Sequence, residues 1–105
     1  MSKAFPLLNK KIYISGPMTG IEQLNFPAFA RAAKFLRDAG ATVSAPHEIA
    51  MKYPESWEKC MAEDIKALCD CEAVFMLDGW EKSKGAHLEL HIAHRLNLEI
   101  FFERG

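Results

Sequence analysis

Short apolar runs alternate with amphipathic segments along this chain, and that alternation is what most narrows the folds open to it. Lys11-Ile12-Tyr13-Ile14-Ser15 is β-branched and aromatic and is bounded by Gly16-Pro17, so it reads as a first strand. Ala41 to Ala45 is a short second strand stopped by Pro46, and Ala73 to Leu77 is a buried third strand that stops at Asp78-Gly79. Leu98 to Phe102 is the last. Between the strands the period changes to that of helices. Phe26-Pro27 opens one, with Phe29, Ala32, Ala33 and Leu36 as its core stripe and Ala39-Gly40 as its end. A second runs from about Ser56 to Leu68, with Trp57, Met61, Ile65 and Leu68 on its apolar side. A third begins near Ser83 to Gly85 and gathers Ala86, Ile92, Ala93 and Leu96 on one face. Residues 47–55 read as irregular, with Tyr53-Pro54 marking a stop. Strands alternating with helices imply an α/β domain with a parallel sheet and right-handed crossovers.

With 105 residues the chain makes one domain, residues 1–105, in which residues 1–9 look like a loose arm. Thirteen Lys+Arg against fourteen Asp+Glu leave a net charge of −1, which argues against a binder of nucleic acid polymers, since that needs a basic surface. No apolar segment approaches the roughly 20 residues that span a bilayer, so no membrane association is expected. The N-terminus shows no secretory h-region or cleavage site, and the expected location is the cytoplasm. Cys60, Cys69 and Cys71 form no C-x-x-C pair and read as reduced thiols near a helix end.

Two acids break the apolar pattern. On a wheel of about 100° per residue, Glu89 lies in the middle of the apolar face of the third helix. Asp64 lies inside the stripe of the second. A desolvated carboxylate is costly unless something pairs with it or uses it. Each acid alone could be structural, for example capping a loop; two in so short a chain point to a site.

Other features are less specific. The turn Ser15-Gly16-Pro17-Met18-Thr19-Gly20 could hold an anion or simply be tight; it is neither a Walker loop nor G-x-G-x-x-G. His47-Glu48 sits where a strand hands over to a loop, a frequent place for ligand contacts. His87, His91 and His94 lie opposite the apolar face and read as a solvated row rather than metal ligands. Trp57 and Trp80 read as core or pocket-wall aromatics, Trp80 with the option of stacking on a base. The Tyr13 hydroxyl could reach a ligand or a carboxylate, or be structural. No nucleophilic serine or cysteine arrangement stands out.

Together, Ile-Tyr-Ile-Ser-Gly-Pro-Met-Thr-Gly, Asn25-Phe26-Pro27-Ala28-Phe29, Asp64 and Gly-Trp-Glu-Lys-Ser-Lys-Gly-Ala-His-Leu-Glu resemble the nucleoside 2-deoxyribosyltransferase superfamily. The likeness runs from about Lys11 to Phe102 and is strongest to a small branch found in bacteria and phages. It implies a Rossmann-like or flavodoxin-like three-layer sandwich, oligomeric, acting on the N-glycosidic bond of deoxynucleosides or their 5′-monophosphates. By the resemblance the nucleophilic glutamate falls on Glu89, the helix aspartate on Asp64 and the strand-end tyrosine on Tyr13. Ser83, six residues before the glutamate, holds the spacing of a phosphate-contacting serine. Nucleotide contacts are expected from Ser15, Gly16, Pro17, Met18 and Thr19, from Asn25 and His47, and from Asp78, Gly79, Trp80 and Gly85.

These readings combine into definite expectations. The sheet has four or five strands, in the order 2-1-3-4 that crossovers and a site at the switch point require. The substrate is a small nucleotide or nucleoside, cleaved by hydrolysis or by deoxyribosyl transfer to another base. No cofactor and no metal are required, and the chain forms a homodimer or larger assembly. The alternative is a nucleotide-binding module or sensor that kept the fold without turnover.

Overall fold

Alternation along the first strand decides which side of the sheet each helix takes. The computed structural model describes residues 7–103. In it β1 (Lys11–Ser15) points Ile12 and Ile14 to one face and Tyr13 and Ser15 to the other, all four fully buried. The chain continues through α1 (Phe26–Asp38), β2 (Thr42–Ser44), α2 (Pro46–Lys52), α3 (Trp57–Cys69), β3 (Ala73–Met76), α4 (Lys84–Arg95) and β4 (Glu99–Phe102). Single 3₁₀ turns lie at Glu22–Asn25 and Trp80–Lys82.

The strands are all parallel and run in the order β2-β1-β3-β4, as the sequence predicts. Tyr13 lies opposite Ser44 on one side and Val74 on the other, and Val74 lies opposite Ile100. α1 covers the Ile12/Ile14 face with Phe29, Ala32, Ala33 and Leu36. On the Tyr13 face, Leu68 of α3 and Ala86 and Ala93 of α4 pack with Val74 and Met76. Helices therefore lie on both faces of a parallel sheet, in the three-layer Rossmann-like arrangement.

Four local expectations need correction. Of residues 47–55, expected to be irregular, 47–52 belong to α2: Pro46 ends β2 and, with its fixed φ, also starts a helix at its first position, followed by Glu48 in the first turn. Trp57 is not a core or pocket-wall residue; it opens α3 and is 69% exposed. Burial increases along α3, from Met61, Asp64 and Ile65, which are half-buried, to Leu68, which is fully enclosed, so only its C-terminal half rests on the sheet. Leu96 is exposed as well, because α4 has ended at Arg95. Of the expected loose arm, residues 1–6 lie outside the described residues. Residues 7–9 form a turn in which Leu7 packs on the core and the Leu7 amide donates to the Ala39 carbonyl.

Candidate active site

The small side chains of Ala86 and Ala93 let α4 lie close on the sheet, and between them Glu89 points at β1. Its carboxylate is 5% exposed and has both oxygens occupied. The Tyr13 hydroxyl donates to Oε2 at 2.8 Å and the Ser15 hydroxyl donates to Oε1 at 2.6 Å. These are short charge-assisted bonds, and their donors stand two residues apart on one strand face. Burial raises the Glu89 carboxyl above its ordinary range, while the hydroxyls of Ser15 and Tyr13 pull it back toward the ionised form. Burial, reinforced by the neighbouring charges of Glu89 and Asp64, pushes the Tyr13 phenol well above 10, which keeps its proton in place as a donor.

Asp64 approaches from α3. Its Oδ1 is buried without a hydrogen-bond partner among the described residues. Burial first, and the charge of Glu89 second, raise its carboxyl from 3.8 to about 7. The two acids thus differ in kind. Glu89 accepts from two donors, which favours the carboxylate, and Asp64 has an unpartnered buried oxygen, which favours the neutral acid. A group that titrates near neutrality can give a proton and take one back at physiological pH.

Around the acids, two loops at the carboxyl ends of β1 and β3 are locked together. A side chain at Gly16 would put its Cβ 2.7 Å from the Cβ of Leu77, so only glycine lets the two turns meet there. Gly79 adopts φ +89°, with Pro17 beside it. Pro17 is buried and Met18 half-buried, whereas Thr19 is exposed. The Asn25 side-chain amide donates to the Pro17 carbonyl at 2.9 Å, so Asn25 braces the first turn. Asn25 closes a run of three left-handed residues, Gln23, Leu24 and Asn25, at φ 55°, 52° and 64°. Such a run is costly for non-glycine residues and requires a brace of this sort.

At the second loop, the Asp78 amide donates to the Glu103 carboxylate at 2.7 Å. Trp80 packs on His87 and Phe102. Ser83 caps α4, its Oγ accepting from the Ala86 amide at 3.1 Å, which leaves the hydroxyl proton free to donate. The methyl of Met61 lies 3.8 Å from where a Gly85 side chain would begin, which sets α3 against the first turn of α4.

The structure thus brings Tyr13, Ser15, Asp64 and Glu89 together and sets the Gly16 and Gly79 turns and Ser83 at the same end of the sheet. His47, at the start of α2, packs on α1. It is buried between Phe26 and Phe29, with Nδ1 unpartnered among the described residues, and burial lowers its pKa. His87, His91 and His94 are exposed along α4, and among the described residues no three His, Cys, Asp or Glu side chains cluster as metal ligands. No helix among the described residues is long and apolar enough to cross a membrane. Cys60, Cys69 and Cys71 are all free thiols. Sequence reasoning missed Glu103 and Met61. Nothing local marks Glu103, which follows the last strand, and Met61 reads only as stripe.

Comparison with known proteins agrees with this fold. The family described as a domain of unknown function, DUF4406, matches residues 10–102. No curated protein matches the chain significantly in sequence. Among solved structures, the chain is similar to a 2-deoxyribosyltransferase from the psychrotolerant bacterium Bacillus psychrosaccharolyticus. The TM-score is 0.69 and the identity 26%, over 88% of this chain and 70% of that one. The chain thus belongs to the DUF4406 family, within the nucleoside 2-deoxyribosyltransferase-like superfamily.

Proposed function

We propose that the protein is a glycosyl-transfer enzyme that cleaves the N-glycosidic bond of a 2′-deoxynucleoside 5′-monophosphate, with Glu89 as nucleophile. The observation that carries this reading is the pairing of unlike acids: a buried Glu89 held by two hydroxyls, beside an Asp64 whose carboxyl is raised to about 7. Glu89 attacks the anomeric carbon and the bond to the base breaks. Asp64 gives its proton to the departing base. Water, or the nitrogen of a second base, then attacks the same carbon, returns a proton to Asp64 and frees Glu89.

Ser83 supports the monophosphate as substrate. Its hydroxyl proton is free, it stands at the N-terminus of a 12-residue helix, and Lys82 and Lys84 flank it. The Gly16 and Gly79 turns supply the close backbone approach that a nucleotide needs. A homodimer or larger assembly belongs to the same reading, since large aromatics such as Phe35, 64% exposed, remain on the surface. Light scattering that finds monomer alone would contradict that part.

The test is to incubate the protein with each deoxynucleotide and deoxynucleoside, with and without a competing free base, and to separate the products by chromatography. Free base without an acceptor identifies a hydrolase, and a swapped base identifies a transferase. No released or exchanged base from any substrate, with binding retained, would leave a nucleotide-binding module as the better account.

A further inference from the structure

Two hydroxyls share the work of holding one carboxylate, and they are not equivalent. The Tyr13 ring is packed among Leu68, Val74 and Met76 and cannot turn without displacing them. Ser15 ends β1, where the strand gives way to the Gly16 turn, and its hydroxyl changes direction by rotation about a single bond. One donor would be enough to orient the acid. The second removes the carboxylate's remaining freedom to rotate and makes its two oxygens unequal, Oε2 tied to a fixed donor and Oε1 to an adjustable one.

We propose that Ser15 is a positioning residue for Glu89: it presents Oε1 for bond formation, while Tyr13 retains Oε2, the oxygen that becomes the carbonyl of the glycosyl ester. This rests on the reading of Glu89 as nucleophile and adds to it the identity of the attacking oxygen. In the first step Oε1 gives an electron pair to the anomeric carbon, and the carbon–nitrogen bond breaks with its pair going to the base. Asp64 supplies the proton that the base needs. The Ser15 proton stays on Ser15, whose hydroxyl turns from Oε1 as that oxygen becomes bonded to carbon. In the second step water attacks the anomeric carbon and passes a proton to Asp64. The bond to Oε1 breaks with its pair returning to Glu89, and the Ser15 hydrogen bond forms again. Throughout, the Tyr13 donor faces the oxygen on which the ester carbonyl dipole rests, as an oxyanion-directed donor does.

Ser15→Ala and Ser15→Cys separate this role from a merely structural one. Ser15→Ala removes a donor and little volume, and Ser15→Cys keeps a donor, though a weaker one on a somewhat larger atom. For Ser15→Ala the expected result is a kcat lower by about 10- to 100-fold with KM unchanged, because a carboxylate free to rotate is misaligned for attack on the anomeric carbon. Its acid limb in the pH profile should move to higher pH, because Glu89 has lost a bond that lowers its pKa; the other titrating groups facing it are Asp64 and Tyr13. Ser15→Cys should fall between Ser15→Ala and wild type. A carboxyl carbon NMR titration of Glu89 should show the same upward move. If Ser15→Ala lowers only the melting temperature and leaves kcat and the acid limb as in wild type, the hydroxyl is structural and the inference is overturned. If wild type itself releases no base, the nucleophile reading fails and this inference with it, an outcome visible without any variant.

Discussion

Asp64 and Glu89 approach each other from two different helices, and among the described residues hydroxyl donors reach the oxygens of Glu89 while Oδ1 of Asp64 has no partner. That asymmetry separates their charge states in an environment that penalises charge on both. Burial raises each acid, but the hydroxyls of Ser15 and Tyr13 pull Glu89 back toward the ionised form, whereas the charge of Glu89 raises Asp64 further.

Replacing Asp64 by asparagine tests this division. The folded-state value of about 7 lies above the ordinary 3.8, so the folded protein binds more protons between those limits and its stability falls as pH rises through them. Asp64→Asn should therefore narrow the difference in melting temperature between pH 5 and pH 8, by stabilising the protein on the alkaline side. Base release should drop by roughly 10²- to 10⁴-fold, the usual worth of a general acid, and the pH limb near 7 should vanish.

Tyr13→Phe removes the fixed donor from a buried carboxylate. A stability loss of about 1–3 kcal/mol at neutral pH is expected in chemical denaturation, as an acceptor is left unpaired. The loss should shrink at acid pH, where Glu89 takes up a proton. An unchanged denaturation midpoint would mean that the bond contributes nothing.

Much of this was legible in the sequence, and the exceptions have physical reasons. The strands followed from apolar runs separated by helical periods, their order from the crossover rule and a site at the switch point, and Asp64 and Glu89 stood out because a carboxylate on an apolar stripe is rare. α2 was missed because Pro46 ends a strand and starts a helix at the same residue, and a 7-residue helix has little periodicity to show. Trp57 was misplaced because a hydrophobic stripe does not reveal where a helix leaves the sheet. The bonds from Ser15 to Glu89 and from Asn25 to Pro17 span 74 and 8 residues, and no local pattern specifies either. Both residues were expected at the site as ligand contacts; in the structure they hold the protein's own groups.

Asn25 carries a separate expectation. Asn25→Gly keeps the left-handed backbone but loses the amide that holds the Pro17 carbonyl, while Asn25→Ala loses both. Alanine should destabilise by roughly 1 kcal/mol more than glycine in thermal melts. Both variants should bind nucleotide more weakly than wild type, since each frees the Pro17 turn.

Ser83 combines a cap with an expected phosphate contact, and two substitutions separate them. Ser83→Ala should cost about 1 kcal/mol as the cap on the Ala86 amide is lost, and should raise KM for monophosphates more than for nucleosides. Ser83→Asp restores a cap while placing a negative charge against the phosphate. Stability should then recover and monophosphate turnover should not. Equal effects on monophosphate and nucleoside would remove Ser83 from the phosphate site.

The most direct measurement is a search for the sugar on Glu89 itself. Wild type mixed with deoxynucleotide, quenched in acid during turnover and digested, should yield the peptide containing Glu89 with the added mass of a deoxyribosyl phosphate. Glu89→Ala should fold, release no base and carry no such mass. Base release by wild type with every peptide unmodified, together with persistent release by Glu89→Ala, would contradict the account at its centre.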